Sequence, residues 1–173
     1  VAFCWIGEAA QGEAMAQTLR SFGTPAGEHV GPMPFAGWQT AFDPLLQPGA
    51  RNYWKSHDFV ALTGEVERIL CEAITRLPSD ECEAFIGQLG GQINRTGVGD
   101  TAYPHRDAEF VVNVHTRWRD AADDRKCIDW ARALFDALRD SGLPLDTLSM
   151  GMTADLEAAI HAGSTMVRGG TAV

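Results

Sequence analysis

Residues 109–118, EFVVNVHTRW, constrain the fold more than any other stretch of this chain. Phe110, Val112, Val114, Thr116 and Trp118 fall on one side of an extended backbone. Glu109, Asn113, His115 and Arg117 fall on the other, with Val111 the one apolar residue among them. A period of two is the mark of a strand with one face in a core. The rest of the chain must therefore supply an apolar layer for that face. The second face is left for water, a ligand or a partner.

Two segments can supply the layer. Between 63 and 77, Val66, Ile69, Leu70, Ala73, Ile74 and Leu77 recur at three and four, Thr63 can cap the start and Pro78 stops the run, which predicts a helix. A second helix is expected to start at Asp123 or Asp124 and to carry Ile128, Ala131, Leu134, Phe135 and Leu138. Further strands are expected at 2–6, at 51–56 and at 83–94, the last interrupted at Gly90-Gly91, where missing side chains permit a bulge or a close backbone approach. A helix over 8–22 would turn Met15, Leu19 and Phe22 to one side. Pro32, Pro34, Pro44 and Pro48 allow at most one short helix, around 37–42, in the stretch 24–50. The end of the chain reads as a strand (147–152), a helix capped by Thr153 and ended by Gly163, and a strand (165–168). Together these elements predict an α+β fold, a mainly antiparallel sheet with helices packed on one face, formed by residues 1–173 as a single domain.

Composition narrows the function classes. A formal charge of -9 without a basic cluster argues against nucleic acid or an anionic membrane surface as partner. No apolar run reaches the roughly 20 residues of a membrane span. Cys4, Cys71, Cys82 and Cys127 lie apart with no paired spacing and no histidine placed for zinc, so they are expected to be buried, reduced thiols in a cytoplasmic protein, and no metal is expected.

Three stretches carry a family resemblance: GPMPFAGWQTAFDPLLQPGARNYWKSHDF (31–59), QLGGQINRTGVGDTAYPHRDAEF (88–110) and the region from Trp118 to Trp130 that leads into ARALFDALR. In order and spacing, residues 1–140 resemble the C-terminal substrate domain of berberine-bridge-enzyme-like FAD-linked oxidoreductases. The resemblance implies a ferredoxin-like type of substrate domain, an antiparallel sheet backed by helices with its open face over the isoalloxazine of FAD. The family's FAD-binding domain, with its covalent flavin attachment, has no counterpart in these residues. FAD is thus implied by the resemblance, yet no cofactor is expected on the isolated chain. Plant members carry a catalytic Glu shortly after the glycine pair; here Gly90-Gly91 leads to Arg95, which cannot act as a base near neutral pH. The ancestral pocket would be formed by Gln92, Asn94, Arg95, His105, Asn113 and His115, and no catalytic residue is assigned. A structural part is the alternative for His105 and Arg106, through Asp107 or carbonyls at a strand entrance, and a solvated or interfacial face is the alternative for Asn113, His115 and Arg117.

Residues 143–173, LPLDTLSMGMTADLEAAIHAGSTMVRGGTAV, resemble instead the C-terminal end of pyridoxal-phosphate homeostasis proteins, an alanine-racemase-like barrel family. That resemblance implies phosphate contacts from Ser149, Gly151, Met152 and Thr153, then from Arg168, Gly170 and Thr171. The family's Schiff-base lysine is not matched: Lys55 and Lys126 are the two lysines of the chain and both precede this tail, so covalent pyridoxal phosphate is not expected. Residues 141–173 read as a grafted strand-helix-strand tail.

The sequence therefore favours a non-catalytic, self-associating ligand-binding or interaction module derived from a flavoenzyme substrate domain, a homodimer through the uncovered sheet face. A subunit of an FAD-dependent alcohol or sugar oxidase that needs a separate FAD-binding domain is the alternative. A phosphate-ligand binder acting through the tail is the second.

Overall fold

The computed structural model describes residues 1–101, 103, 105–141 and 156–161. The chain forms two compact units, Val1–Pro48 and Gly49–Val173.

In the first unit, α1 (Ala9–Arg20) is followed by α2 (Phe35–Thr40) and a 3-10 turn, Asp43–Leu46. The Trp5 indole lies on α1 at Gly12, where an added Cβ would come within 3.0 Å of it. Arg20 ties the helix end to Glu13 at 2.7 Å and to Glu28. The expected strand at 2–6 does not form. An extended run needs a neighbour for its backbone N–H and C=O groups, and no strand forms elsewhere in this unit to pair with it. The expected apolar face of α1 is not buried either: Met15 and Phe22 are exposed, and Ala16 is the one buried residue of Val1–Pro48.

The second unit contains the sheet. Strand β1 (Arg51–Phe59) and strand β2 (Glu83–Gln88) flank the central β3 (Phe110–Trp118), both antiparallel to it. Helix α3 (Gly64–Ile74) joins β1 to β2, and α5 (Asp124–Asp140) follows β3 after the 3-10 turn Ala121–Asp123. The hydroxyl of Thr63 accepts from the Val66 amide at 3.3 Å, which caps α3 as the sequence indicates. Both helices pack on the same side of the sheet. Phe59, Val112 and Val114 meet Val66 and Leu70 of α3 and Ala131, Leu134 and Leu138 of α5 in one core. The α+β class, with helices on one face of an antiparallel sheet, is thus the observed architecture.

Two boundaries differ from the sequence reading. Strand β1 runs three residues beyond Ser56, to Phe59. The strand that begins at Glu83 stops at Gln88, because Gly90 and Gly91 take φ values of +134° and +58°. These conformations turn the chain off the sheet rather than bulging it. The next residues form the single turn α4 (Gln92–Arg95). In the tail, α6 (Leu156–His161) lies within the expected helix. The expected strands at 147–152 and 165–168 fall outside the described residues. The thiols divide: Cys82 and Cys127 are buried, whereas Cys4 and Cys71 are exposed on the surface, contrary to expectation.

Asp124 fastens α5 to the sheet. It accepts from Arg51 Nη2 and from Trp118 Nε1, each at 2.7 Å, and these bonds, Arg51 first, hold its carboxyl below the ordinary value of 3.8. A depressed folded value means that the contribution is present above 3.8 and is lost as the pH falls through the lower folded value. Asp124→Asn is accordingly expected to reduce stability at neutral pH and to flatten the acid side of the stability curve. Thermal melts at descending pH check this, since the variant should lose less to acid than the parent.

Candidate functional site

Register fixes which side chains share the open face. Asn52, Trp54, Ser56 and Asp58 of β1 stand opposite Arg117, His115, Asn113 and Val111 of β3, while Glu83, Phe85 and Gly87 of β2 stand opposite His115, Asn113 and Val111. Tyr53, Lys55, His57 and Phe59 point the other way, toward the helices; Lys55 Nζ lies 4.4 Å from the Phe135 ring centroid, and burial lowers its pKa. At Gly87 the face is tight, since a Cβ there would lie 3.0 Å from Val111 Cγ1 and push that side chain aside by a few tenths of an ångström.

His115 is 3% exposed although α3 and α5 both pack on the opposite face of the sheet. Its neighbours on the face enclose it. Nδ1 lies 3.2 Å from Glu83 Oε1, Nε2 lies 3.2 Å from Asn52 Oδ1, and the Trp54 ring meets it edge-on at 4.6 Å. With a protein oxygen at each nitrogen, the imidazole organises the face and has neither nitrogen free for a ligand's proton. Arg117, 4% exposed, is fixed similarly by Glu81 Oε2 at 2.7 Å, a carboxylate that also holds Arg119. The face is therefore less solvated than a polar alternation suggests. Around these anchored groups, Ser56, Asp58 and Asn113 are half-buried, and Trp54 and Phe85 are 46% and 54% exposed.

At the end of the sheet where β3 begins, the incoming loop supplies a second cluster. The hydroxyl of Tyr103 reaches Asp58 Oδ2 at 3.3 Å, His105 meets the Tyr103 ring edge-on at 5.5 Å, and Arg106 lies over the same ring at 5.1 Å. Arg106 also donates to the Ile93 carbonyl at 2.8 Å, and Asn94 Nδ2 to the Ala108 carbonyl at 3.0 Å, so α4 and the loop brace each other. The structure thus puts Asn113 and His115 on the open face, connects His105 to that face through Tyr103 and Asp58, and uses Asn94 as a brace. Gln92 and Arg95 are exposed on α4. Ser149, Gly151, Met152, Thr153, Arg168, Gly170 and Thr171 lie outside the described residues.

Burial, then the Asp58 carboxylate, raises the Tyr103 hydroxyl from 10.0 to about 12. A raised folded value gives stability that is complete below pH 10.0 and is lost as the pH climbs through about 12. Tyr103→Phe should remove that alkaline loss. Tyrosinate absorbance and melting temperature recorded together across the window test it.

Sequence reasoning missed Trp54, Ser56, Asp58, Glu83, Phe85 and Tyr103. A strand is expected at 51–56, but NYWKSHDF mixes aromatic and polar residues on both faces, so hydropathy alone gives that strand no direction.

The antiparallel sheet with helices on one face is a fold shared with flavoenzymes, and the structural neighbours of this chain are berberine-bridge-enzyme-like FAD oxidoreductases. One, crystallised with pregilvocarcin, is an oxidoreductase that catalyses the terminal step of gilvocarcin biosynthesis. The two chains are 26% identical with a TM-score of 0.60, over 80% of this chain and 32% of that one. An FAD-linked oxidoreductase of Dictyostelium discoideum is 24% identical over 105 residues, 59% of this chain and 23% of that protein. The second resemblance also stands, over a shorter stretch: a pyridoxal phosphate homeostasis protein of Pasteurella multocida (strain Pm70) is 40% identical over 73 residues, 40% of this chain and 31% of that protein. The chain spans about a third of the length of these relatives or less. No family model matches it. Among the described residues no helix is long and apolar enough to cross a membrane.

Proposed function

We propose that this chain is the substrate-side part of an FAD-linked oxidoreductase acting on an alcohol or a sugar, completed by an FAD-binding part in the same or another polypeptide. The observation that carries this reading is the open face itself, with half-buried Ser56, Asp58 and Asn113 set between exposed Trp54 and Phe85 and stiffened by the His115 clamp. These residues suit a wall over a flavin. They do not suit a cradle for its diphosphate: among the described residues the glycine pair leads only into the single turn α4. Bound flavin would supply the hydride acceptor that side chains lack. The chain's own part would be to hold a hydroxyl-bearing ligand, with Ser56 and Asn113 donating and Asp58 accepting, in a cytoplasmic setting.

The first unit favours the need for completion. Segments of about 60 residues or fewer are marginal alone, and Val1–Pro48 leaves Ile6, Phe22, Phe35 and Leu45 exposed. The open sheet face leaves a second reading, a non-catalytic module that covers that face with another copy as a homodimer. Binding of a phosphate ligand through the tail is a third reading.

The absorbance spectrum of the purified protein separates them, because it reports flavin and pyridoxal phosphate together. Flavin bands, or uptake of added FAD once an FAD-binding part is supplied, are expected. A colourless protein that takes up no FAD even then would leave the self-associating module. Thermal stabilisation by pyridoxal phosphate would support the tail as a phosphate binder.

A further inference from the structure

Cys82 and Cys127 have no part in the reading above, yet the fold brings them together. Cys82 lies in the turn before β2 and Cys127 in the first turns of α5, and with Trp118 they form one small buried cluster. The Cys82 thiol donates to the Arg117 carbonyl of β3 at 3.5 Å. We propose that Cys82 and Cys127 are a dithiol site that closes to a disulfide when the protein meets a small-molecule disulfide such as glutathione disulfide.

The exchange balances. The thiolate of Cys82 attacks one sulfur of glutathione disulfide and releases one glutathione thiolate. The thiolate of Cys127 then attacks the Cys82 sulfur of the mixed disulfide and expels the second glutathione. Two protein thiols are oxidised, and one disulfide is reduced to two glutathione molecules. Cys127 takes the second step because it is the more deeply buried, at 0% exposure against 5%, and burial, then Cys82, pushes its thiol up to about 11. Both steps require the start of α5 to lift from the sheet, so closure is slow in the folded state and faster in mild denaturant. The bond would then join the start of β2 to α5, two elements otherwise linked through β3 and α3. In a reducing compartment the pair stays open.

The exposed Cys4 and Cys71 would react first, so the test uses the full chain with Cys4→Ser and Cys71→Ser, incubated with glutathione disulfide in mild denaturant, returned to native buffer, then alkylated under denaturing conditions. The expected result is a protein that has lost two hydrogens, resists alkylation, yields a Cys82–Cys127 linked peptide and melts at a higher temperature until dithiothreitol is added. Adding Cys82→Ser should restore alkylation of Cys127. Full alkylation of both cysteines, or stable glutathione adducts without the linked peptide, would overturn the proposal. Peptide mapping of the unsubstituted chain gives the same decision if the serine variants fold poorly.

Discussion

Replacing Phe59 by alanine is expected to lower the stability of the second unit by about 3–5 kcal/mol, the range for deleting a buried aromatic ring. Phe59 is 2% exposed and ends β1, where its side chain belongs to the core shared with α3 and α5. His57 meets its ring edge-on at 4.9 Å, so truncation removes an aromatic contact as well as apolar burial. Small domains hold about 5–15 kcal/mol in all. Urea unfolding should therefore show a large drop in midpoint with little change in slope. A loss below about 1 kcal/mol would mean that Phe59 is not in the core described.

A carboxylate at Val112 is expected to do more. Val112 is 1% exposed on the helix side of β3, between His57 and Ile86 in register. Val112→Asp deletes apolar contacts and buries a charge, a penalty of several kcal/mol before any relaxation, so the cooperative transition should be lost. One residue along, Asn113 faces the other way and is half-buried. Asn113→Asp should keep the transition. Equal damage from the two substitutions, measured by thermal melts and near-ultraviolet circular dichroism, would contradict the division of β3 into a core side and an open side.

That division was legible before any coordinates, because Phe110, Val112, Val114, Thr116 and Trp118 repeat at the strand period without a break. The helices α3 and α5 were legible for the same kind of reason: apolar residues at three and four, with Thr63 and Pro78 marking the ends of the first run. What escaped was set by non-local contacts. Glycine spacing at 90 and 91 does not distinguish a bulge from a strand end; positive φ at both does. The burial of His115 and Arg117 depends on Asn52, Glu81 and Glu83, far away in sequence, and no local pattern announces such partners. The exposed thiols follow the same lesson: Cys71 sits on α3 among residues that repeat toward the core but lies off that face. In the first unit, local apolarity was no guide, since the residues at 2–6 have no strand to pair with and Met15 and Phe22 no layer to bury them.

The central claim is that the open sheet face and the exposed apolar residues of Val1–Pro48 are covered in the working protein. The most direct test is the particle mass of the purified chain, measured by light scattering at micromolar concentration with the visible absorbance recorded across the same peak. With FAD and an FAD-binding part supplied, a particle heavier than the 18.7 kDa chain is expected, carrying either the flavin-bearing part or a second copy. An 18.7 kDa monomer that stays colourless under those conditions would contradict the account.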